Sequence, residues 1–369
     1  MLAAVSPGIS QQSGNSSDAP NGAEEDASAS AEAWLSGRLT SLLGSKVRNG
    51  MWGAMVVSLT NGDTLFAHNP GLSLNPASTL KLYTTALAFE RLGPDYRFRT
   101  DVFRDGAVSH GTLLGNLILR GGDDGVIQVR GWIGSISQPR VYILVVPEPA
   151  QFATGAFLRA LRDVGVVVEG KARIGGTPAG AVRVTTMPSP PLYELAGTMN
   201  RESINHFAEL IFRNAARDAD PQGVGSASMG NALLKDFLEL RVGASAKDVF
   251  AADGSGLSTL DRVTARSMVQ LLSYADHAPW SRQFHESLPV AGREETLRLR
   301  MRKTPAQDNL HAKTGTTNEV VALSGYVAAK TGEVLAFSFL YNGKDRWNAR
   351  ATIDAMGVTL ADFVRDDNP

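Results

Sequence analysis

Residues 75–89 hold the strongest local structural signal in this chain. They begin Asn75-Pro76-Ala77-Ser78-Thr79-Leu80-Lys81, and an apolar run from Leu82 to Phe89 follows. A proline just ahead of a good helix former marks a helix start, and residues three apart share a helix face. Ser78 and Lys81 are therefore expected to lie side by side on the first turn of a helix.

A serine and a lysine in that arrangement can form a nucleophile and its base. Serine reacts poorly until another group takes its proton, and a lysine whose pKa is lowered by burial or by a neighbouring cation can do so. The unpaired N–H groups at a helix N-terminus also suit an oxyanion. Taken alone, however, such a pair more often marks the start of an ordinary surface helix, because short motifs match by chance.

The pattern of strands and helices predicts an α+β protein. A hairpin, Gly53–Leu59 and Thr64–Ala67 around an Asn-Gly turn, leads into the Ser78 helix. Since the chain also ends on strands and a helix, one antiparallel sheet shared by both ends is expected. The other predicted strands are Phe98–Arg104, Gly111–Arg120, Val126–Trp132, residues 140–146, Val166–Ile174, Ala312–Lys313, Val320–Ala329 and Val334–Tyr341. The predicted helices are Ala31–Leu43, Gln151–Val164, Tyr193–Met199, Ile204–Asp218, Ser228–Leu240, Thr264–Ala275 and Trp347–Val364.

Composition narrows the chemistry that this chain can use. A net charge of −1 over 369 residues gives no global attraction to nucleic acid or to an anionic membrane. The absence of cysteine excludes thiol catalysis, thiolate metal sites and disulfides. No Gly-x-Ser-x-Gly elbow is present to anchor an α/β-hydrolase triad. The histidines show no metal-ligand spacing, so neither a metal nor another cofactor is expected; they are His68, His110, His206, His277, His285 and His311.

Two further motifs supply what a serine–lysine pair needs to cleave an amide. Ser203-Ile204-Asn205, at a predicted helix start, brings a hydroxyl and an amide together. Lys313-Thr314-Gly315-Thr316, at a strand, offers a cation and hydroxyls to a carboxylate, and its glycine lets a substrate backbone approach. A second Lys-Thr-Gly, Lys330–Gly332, lies where a hairpin would turn and is interpreted as structural. Asp253-Gly254-Ser255-Gly256 is interpreted as a turn that lines the cleft and serves its geometry.

In this order the motifs resemble the Ser-x-x-Lys, Ser-x-Asn, Lys-Thr-Gly signature of penicillin-binding proteins and serine β-lactamases. The chain resembles most specifically the D-alanyl-D-alanine carboxypeptidase/endopeptidase family of the penicillin-binding protein 4 type, peptidase family S13. The segments that carry this resemblance are Asn75–Thr84, Gly115–Leu119 with Gly122-Asp123, Asp253–Ser258, Ser287–Arg293 and Lys313–Thr316. The resemblance implies a β-lactamase/transpeptidase-like fold, in which an antiparallel sheet flanked by helices adjoins a mostly helical subdomain.

The resemblance also implies catalytic roles for five residues. Ser78 would be the acylated nucleophile and Lys81 its general base. Ser203 would relay a proton to the leaving D-alanine, with Lys313 tuning it electrostatically. Asn205 would bind the substrate amide. β-Lactams would acylate the same serine and remain attached.

Substrate binding is expected at the strand that carries the third motif. Lys313, Thr314 and Thr316 would hold the terminal carboxylate, and Gly315 would leave room for the peptide. The backbone N–H groups of Ser78 and Thr316 would form the oxyanion hole. The implied partners are a peptidoglycan stem peptide ending in D-Ala-D-Ala and β-lactams, at a periplasmic or extracellular location. Met1–Val5 lacks the basic flank and apolar length of a signal peptide, so none is expected in this sequence.

The interval between the first two motifs is shorter than the resemblance implies. Gly122-Asp123-Asp124 passes at once to Val126, and Asp124-Gly125 is a tight-turn dipeptide. We therefore expect a disordered tail at 1–30, a catalytic domain at 31–122 and 187–369, and a reduced inserted α/β domain at 123–186. Three functions stay open: a carboxypeptidase that also cuts cross-bridges, a β-lactamase, and a non-catalytic protein that binds β-lactams or peptidoglycan.

Overall fold

The computed structural model describes residues 21–45, 47, 49–120, 128–130, 141–143, 148–219, 225–293 and 295–365. The helices are α1 (Asn21–Ser45), α2 (Lys81–Leu92), α3 (Pro149–Asp163), α4 (Leu192–Glu202), α5 (Asn205–Ala219), α6 (Ala227–Phe237), α7 (Ala265–His277), α8 (Ser281–Glu286) and α9 (Arg346–Asp362). The strands are β1 (Gly50–Ser58), β2 (Thr64–His68), β3 (Arg99–Ser109), β4 (Thr112–Arg120), β5 (Gln128–Arg130), β6 (Val141–Ile143), β7 (Val182–Pro188), β8 (Val249–Phe250), β9 (Arg262–Val263), β10 (His311–Thr316), β11 (Val320–Ala328) and β12 (Val334–Gly343).

The main sheet joins the two ends of the chain. Its strand order is β10-β11-β12-β1-β2, and every neighbouring pair is antiparallel. β1 pairs with β12 along its whole length, from Gly50 opposite Gly343 to Ser58 opposite Leu335. The α+β prediction of one antiparallel sheet built from both ends is therefore confirmed.

Both faces of this sheet are covered, by different sets of helices. α1 and α9 cover one face, where Leu35, Leu39 and Ile353 are fully buried against alternating strand residues. α7 and the helices around it cover the other face and form the mostly helical part of the molecule. α2 lies at the centre of this part, and its residues from Lys81 to Phe89 are all buried. Ser78 therefore lies just before a helix that is buried along most of its length.

A second sheet contains strands from both sides of a predicted domain boundary. Its order is β4-β3-β7, so strands before residue 122 pair with a strand from the segment predicted as an insert. The division at 123–186 stays a prediction.

The strand predicted at Val166–Ile174 is wrong: this segment forms no strand, and Val167 is 84% exposed. A β-branched run becomes a strand only when it has a partner, and β3 pairs with β7 instead.

The N-terminal helix is longer than predicted. α1 begins at Asn21, so residues 21–30 of the predicted tail belong to a helix. Residues 1–20 and the predicted Asp124-Gly125 turn lie outside the described residues. No helix in the described part of the chain is long and apolar enough to cross a membrane.

Arg365 links the end of the chain to three separate elements. Only 7% of Arg365 is exposed. Its guanidinium contacts three carboxylates, from Glu32 on α1 at 2.8 Å, Asp63 at 2.9 Å and Glu333 at 3.0 Å. Removing the buried guanidinium would leave the three carboxylates without a positive partner, and they would repel one another.

We expect Arg365→Ala to lower the free energy of unfolding by about 3 kcal/mol, measured by chemical denaturation. The matched control is Lys330→Ala, because Lys330 makes an ion pair with Asp362 in which both side chains are about half exposed. That change should cost less than about 1 kcal/mol. Equal losses in the two variants would contradict a stabilising role for the Arg365 cluster.

Candidate active site

Ser78 and Lys81 form the centre of the site. Ala77–Leu80 is a short 3-10 turn that continues directly into α2 at Lys81. The turn brings Lys81 Nζ to 3.1 Å from Ser78 Oγ, while Ser78 itself stays partly exposed. Ala77, just before the serine, has a left-handed φ of 45°. Such backbone is uncommon for a residue with a side chain, so the surrounding contacts must hold it.

The Lys81 side chain is buried and surrounded by acceptors. Besides Ser78 Oγ, its Nζ donates to Asn205 Oδ1 at 2.7 Å and to the Ser255 carbonyl at 2.6 Å. Burial lowers the pKa of Lys81 to about 8, and the charges of Asp253 and Asp261 oppose that shift. A lysine with this pKa is available as a neutral base at mildly alkaline pH.

Ser203 and Lys313 form a second pair near Lys81. Lys313 Nζ donates to Ser203 Oγ at 3.0 Å and to the Thr314 carbonyl at 3.0 Å. Lys313 is fully buried, and burial together with the charge of Lys81 holds its pKa well below the usual range. The prediction that Ser203 begins the helix of the second motif is wrong, because Ser203 follows α4 with a left-handed φ of 58° and α5 starts at Asn205. This junction still brings Ser203 into contact with Lys313 and Asn205 into contact with Lys81.

β10 lies directly against the turn that carries Ser78. A methyl group on Gly315 would come within 2.5 Å of the Pro76 carbonyl, so only glycine allows this approach. Thr314 is 8% exposed, and Thr316 is exposed at the end of the strand. The three predicted motifs therefore meet around Ser78. The second Lys-Thr-Gly, Lys330–Gly332, lies in the β11–β12 turn, away from these contacts.

The segment from Asp253 to Ser258 packs against Lys81 and against the turn that carries Ser78. The side chain of Asp253 accepts hydrogen bonds from backbone N–H groups at positions 255, 256 and 258, so the segment is a turn. A Cβ on Gly256 would lie 1.8 Å from the Ala77 carbonyl oxygen. The sequence indicated a turn here but gave no sign that the Ser255 carbonyl reaches Lys81, because any residue supplies a carbonyl.

Two asparagines that the sequence did not single out as functional also hold the backbone just before Ser78 in place. Asn342 Oδ1 accepts from the Asn75 backbone N–H at 2.8 Å, and Asn342 Nδ2 donates to the Asn75 carbonyl at 3.0 Å. Asn75 Oδ1 in turn accepts from the Ala77 N–H at 2.9 Å. An asparagine before a turn is the available sequence signal, but the partner on β12 is 267 residues away.

Comparison with protein families identifies one match. The model of the D-Ala-D-Ala carboxypeptidase 3 (S13) family matches residues 39–128 and 122–363. Among curated proteins, a D-alanyl-D-alanine carboxypeptidase from Actinomadura sp. (strain R39) is 36% identical over 251 residues, which are 66% of this chain. This match covers 46% of that protein, so the chain spans about half of its length.

Solved structures share the fold at low sequence identity. Penicillin-binding protein 4 from Haemophilus influenzae, complexed with a β-lactam, has a TM-score of 0.72 and 19% identity, covering 88% of this chain and 98% of that one. A predatory endopeptidase from Bdellovibrio bacteriovorus has a TM-score of 0.58 and 18% identity, covering 83% and 92%. The predicted β-lactamase/transpeptidase-like fold is therefore confirmed.

Proposed function

The chain belongs to the D-Ala-D-Ala carboxypeptidase 3 (S13) family, and from this membership we propose that it is a serine-type D-Ala-D-Ala carboxypeptidase. The substrate would be a peptidoglycan stem peptide, cleaved through an acyl-enzyme on Ser78. The observation that carries the proposal is the set of contacts around Lys81. This buried lysine lies 3.1 Å from a serine hydroxyl and also contacts the amide of Asn205.

Acylation would begin with a proton transfer from Ser78 to neutral Lys81. Ser78 Oγ would attack the carbonyl carbon of the penultimate D-alanine, and the N–H groups of Ser78 and Thr316 would stabilise the oxyanion. As the C–N bond breaks, the leaving amine of the terminal D-alanine needs a proton. Ser203 would supply it and regain one from protonated Lys81. Each proton is thereby accounted for, and no external acid is required.

The second lysine would recognise the end of the substrate through its charge. Lys313 is buried behind Ser203, so an incoming carboxylate would contact the hydroxyls of Thr314 and Thr316, with Lys313 supplying the field. The pKa of Lys313 is held well below the usual range. A bound carboxylate would raise that pKa, because an opposite charge nearby favours the ammonium form. Substrates without a free terminal carboxylate should therefore acylate Ser78 poorly.

Deacylation would complete the cycle. Water would attack the Ser78 ester and release the shortened peptide, restoring the hydroxyl. A β-lactam would form the same ester but retain its leaving group, since the ring nitrogen stays tethered to the acyl portion. The structural likeness to a penicillin-binding protein solved with a β-lactam supports this expectation.

Cleavage of cross-bridges is a second activity for the same site. The structural likeness to a Bdellovibrio endopeptidase supports it, since one acyl-enzyme chemistry serves both reactions. A cell-wall substrate also implies a periplasmic or extracellular location.

The test is steady-state release of D-alanine from a diacetyl-Lys-D-Ala-D-Ala peptide. We expect multiple turnovers, and a peptide amidated at its C-terminus should react at least tenfold more slowly, because it lacks the carboxylate. Stoichiometric acylation by penicillin without peptide turnover would instead support a binding protein. Rapid β-lactam hydrolysis would support a β-lactamase.

A further inference from the structure

The carboxylate of Asp253 organises the turn that closes the site. Its Oδ1 accepts from the N–H groups of Ser255 and Gly256, each at 2.7 Å, and its Oδ2 accepts from the N–H of Ser258 at 2.8 Å. Ser255 Oγ adds a contact to Oδ1 at 3.2 Å. A single side chain thus fixes the orientation of three peptide groups of the turn.

The peptide group between Ser255 and Gly256 helps to direct the lone pair of neutral Lys81 towards Ser78. A neutral lysine has two N–H donors and one lone pair. The Ser255 carbonyl at 2.6 Å and Asn205 Oδ1 at 2.7 Å can take both donors. The lone pair is then left for the third neighbour, Ser78 Oγ, which is the orientation that a general base needs.

Ser258, whose N–H donates to Asp253, connects the turn to the residue before Ser78 through its own carbonyl, which belongs to the next peptide group. The Ser258 carbonyl accepts from Asn75 Nδ2 at 3.0 Å, and Asn75 Oδ1 accepts from the N–H of Ala77. Ala77 is the left-handed residue before Ser78. The turn therefore has one arm to the base, through Ser255, and one arm to the nucleophile, through Ser258 and Asn75.

The turn is itself fixed to two helices. Thr84 on α2 donates its hydroxyl to the Gly254 carbonyl at 2.6 Å, and the Gly254 N–H donates to Glu209 on α5 at 2.8 Å. Since α2 also carries Lys81, the turn and the base share one rigid support.

We propose that Asp253 is a positioning residue that sets the orientation of Lys81 and Ser78 relative to each other through Ser255 and Ser258. This inference rests on the proposed roles of Ser78 and Lys81. The hydrogen bonds that the structure gives to the Asp253 side chain all come from residues 255, 256 and 258, so Asp253 would act through them.

Because of the charges near Lys81, this role of Asp253 should be visible in the pH dependence of acylation. Asp253 and Asp261 raise the pKa of Lys81, and the charge of Lys81 helps to lower the pKa of Lys313 on β10. Asp261 is fully buried and accepts from the Ala252 N–H at 2.8 Å, and burial and the charge of Asp253 raise its own pKa to about 7. Neutralising Asp253 removes one of the charges that stabilise the ammonium form. A residue that only stabilised the fold would not shift the pH dependence of the reaction.

The experiment measures the acylation rate with a fluorescent penicillin across a pH range that brackets a pKa of about 8. For wild type, the rate should rise to an alkaline plateau as Lys81 loses its proton. For Asp253→Asn we expect a plateau at least about tenfold lower, as is common when an orienting partner is lost, and a midpoint at lower pH. For Asn75→Ala, which breaks only the arm to the nucleophile, we expect a lower plateau with an unchanged midpoint. Asp236→Asn, an exposed residue on α6, should match wild type.

A folded Asp253→Asn protein with the wild-type plateau and midpoint would overturn the proposal. A reduced number of reactive sites with a normal rate and midpoint would show a purely structural role and would also overturn it. If thermal unfolding shows that Asp253→Asn does not fold, a wild-type plateau in Asn75→Ala overturns it instead. Failure of wild type to react with penicillin would refute the proposed function itself, which is a separate result.

Discussion

Replacing Lys81 with alanine should slow acylation by penicillin by about a thousandfold, within the range that general-base catalysis contributes. The physical reason is that Ser78 Oγ has its base at 3.1 Å, and the other contacts of that base are carbonyl oxygens, which hold it but cannot replace it. The measurement is the second-order rate constant for a fluorescent penicillin at alkaline pH.

The pH dependence of the wild-type protein gives an independent check on this role. Because the pKa of Lys81 is about 8, only about a tenth of the molecules carry the neutral base at pH 7. The rate should therefore increase about tenfold between neutral pH and its plateau. Lys81→Arg is the matched variant: it keeps the cation but cannot lose its proton, so it should be as slow as Lys81→Ala. Acylation of Lys81→Arg at the wild-type rate would contradict the assignment of Lys81 as base.

Replacing Gly256 with alanine should lower the acylation rate by about a hundredfold, the usual effect of displacing a reacting group by about 1 Å. The added methyl would lie 1.8 Å from the Ala77 carbonyl oxygen and 3.1 Å from Ser78 N. Because such a distance is impossible, either the turn or the nucleophile must move. The measurement is the acylation rate of protein that retains the wild-type circular dichroism spectrum.

The Gly62→Ala variant is the control that distinguishes the effect of this collision from the effect of left-handed backbone. Gly62 and Gly256 have the same φ of 81°, but a methyl on Gly62 meets nothing within 4 Å. Both variants should lose about 1 kcal/mol of stability from the left-handed backbone. Only Gly256→Ala should lose acylation. Equal acylation in the two variants would show that the 253–258 turn does not constrain Ser78.

The parts of the site that could be predicted are those formed by residues close together in the sequence. Ser78 and Lys81 lie three residues apart on one turn, so their contact follows from helix geometry alone. The main sheet followed from apolar strands at both ends of the chain. The meeting of Ser203 with Lys313 could be expected only from the family resemblance, because 110 residues separate them.

What could not be predicted depends on backbone atoms and on distant partners. The Ser255 carbonyl that holds Lys81 has no side-chain signature. The segment around Val167 has the composition of a strand but lies exposed, whereas β7 pairs with β3 across about 80 residues of chain. Ser203 was predicted to begin a helix because serine is common at helix starts, but it lies between α4 and α5 in a left-handed conformation.

The most direct test of the acyl-enzyme is mass spectrometry of the protein after treatment with penicillin. We expect one adduct per molecule, located by peptide mapping on the fragment that contains Ser78, and none in Ser78→Ala. An adduct on another residue, or one that persists in Ser78→Ala, would contradict the assignment of Ser78 as the nucleophile.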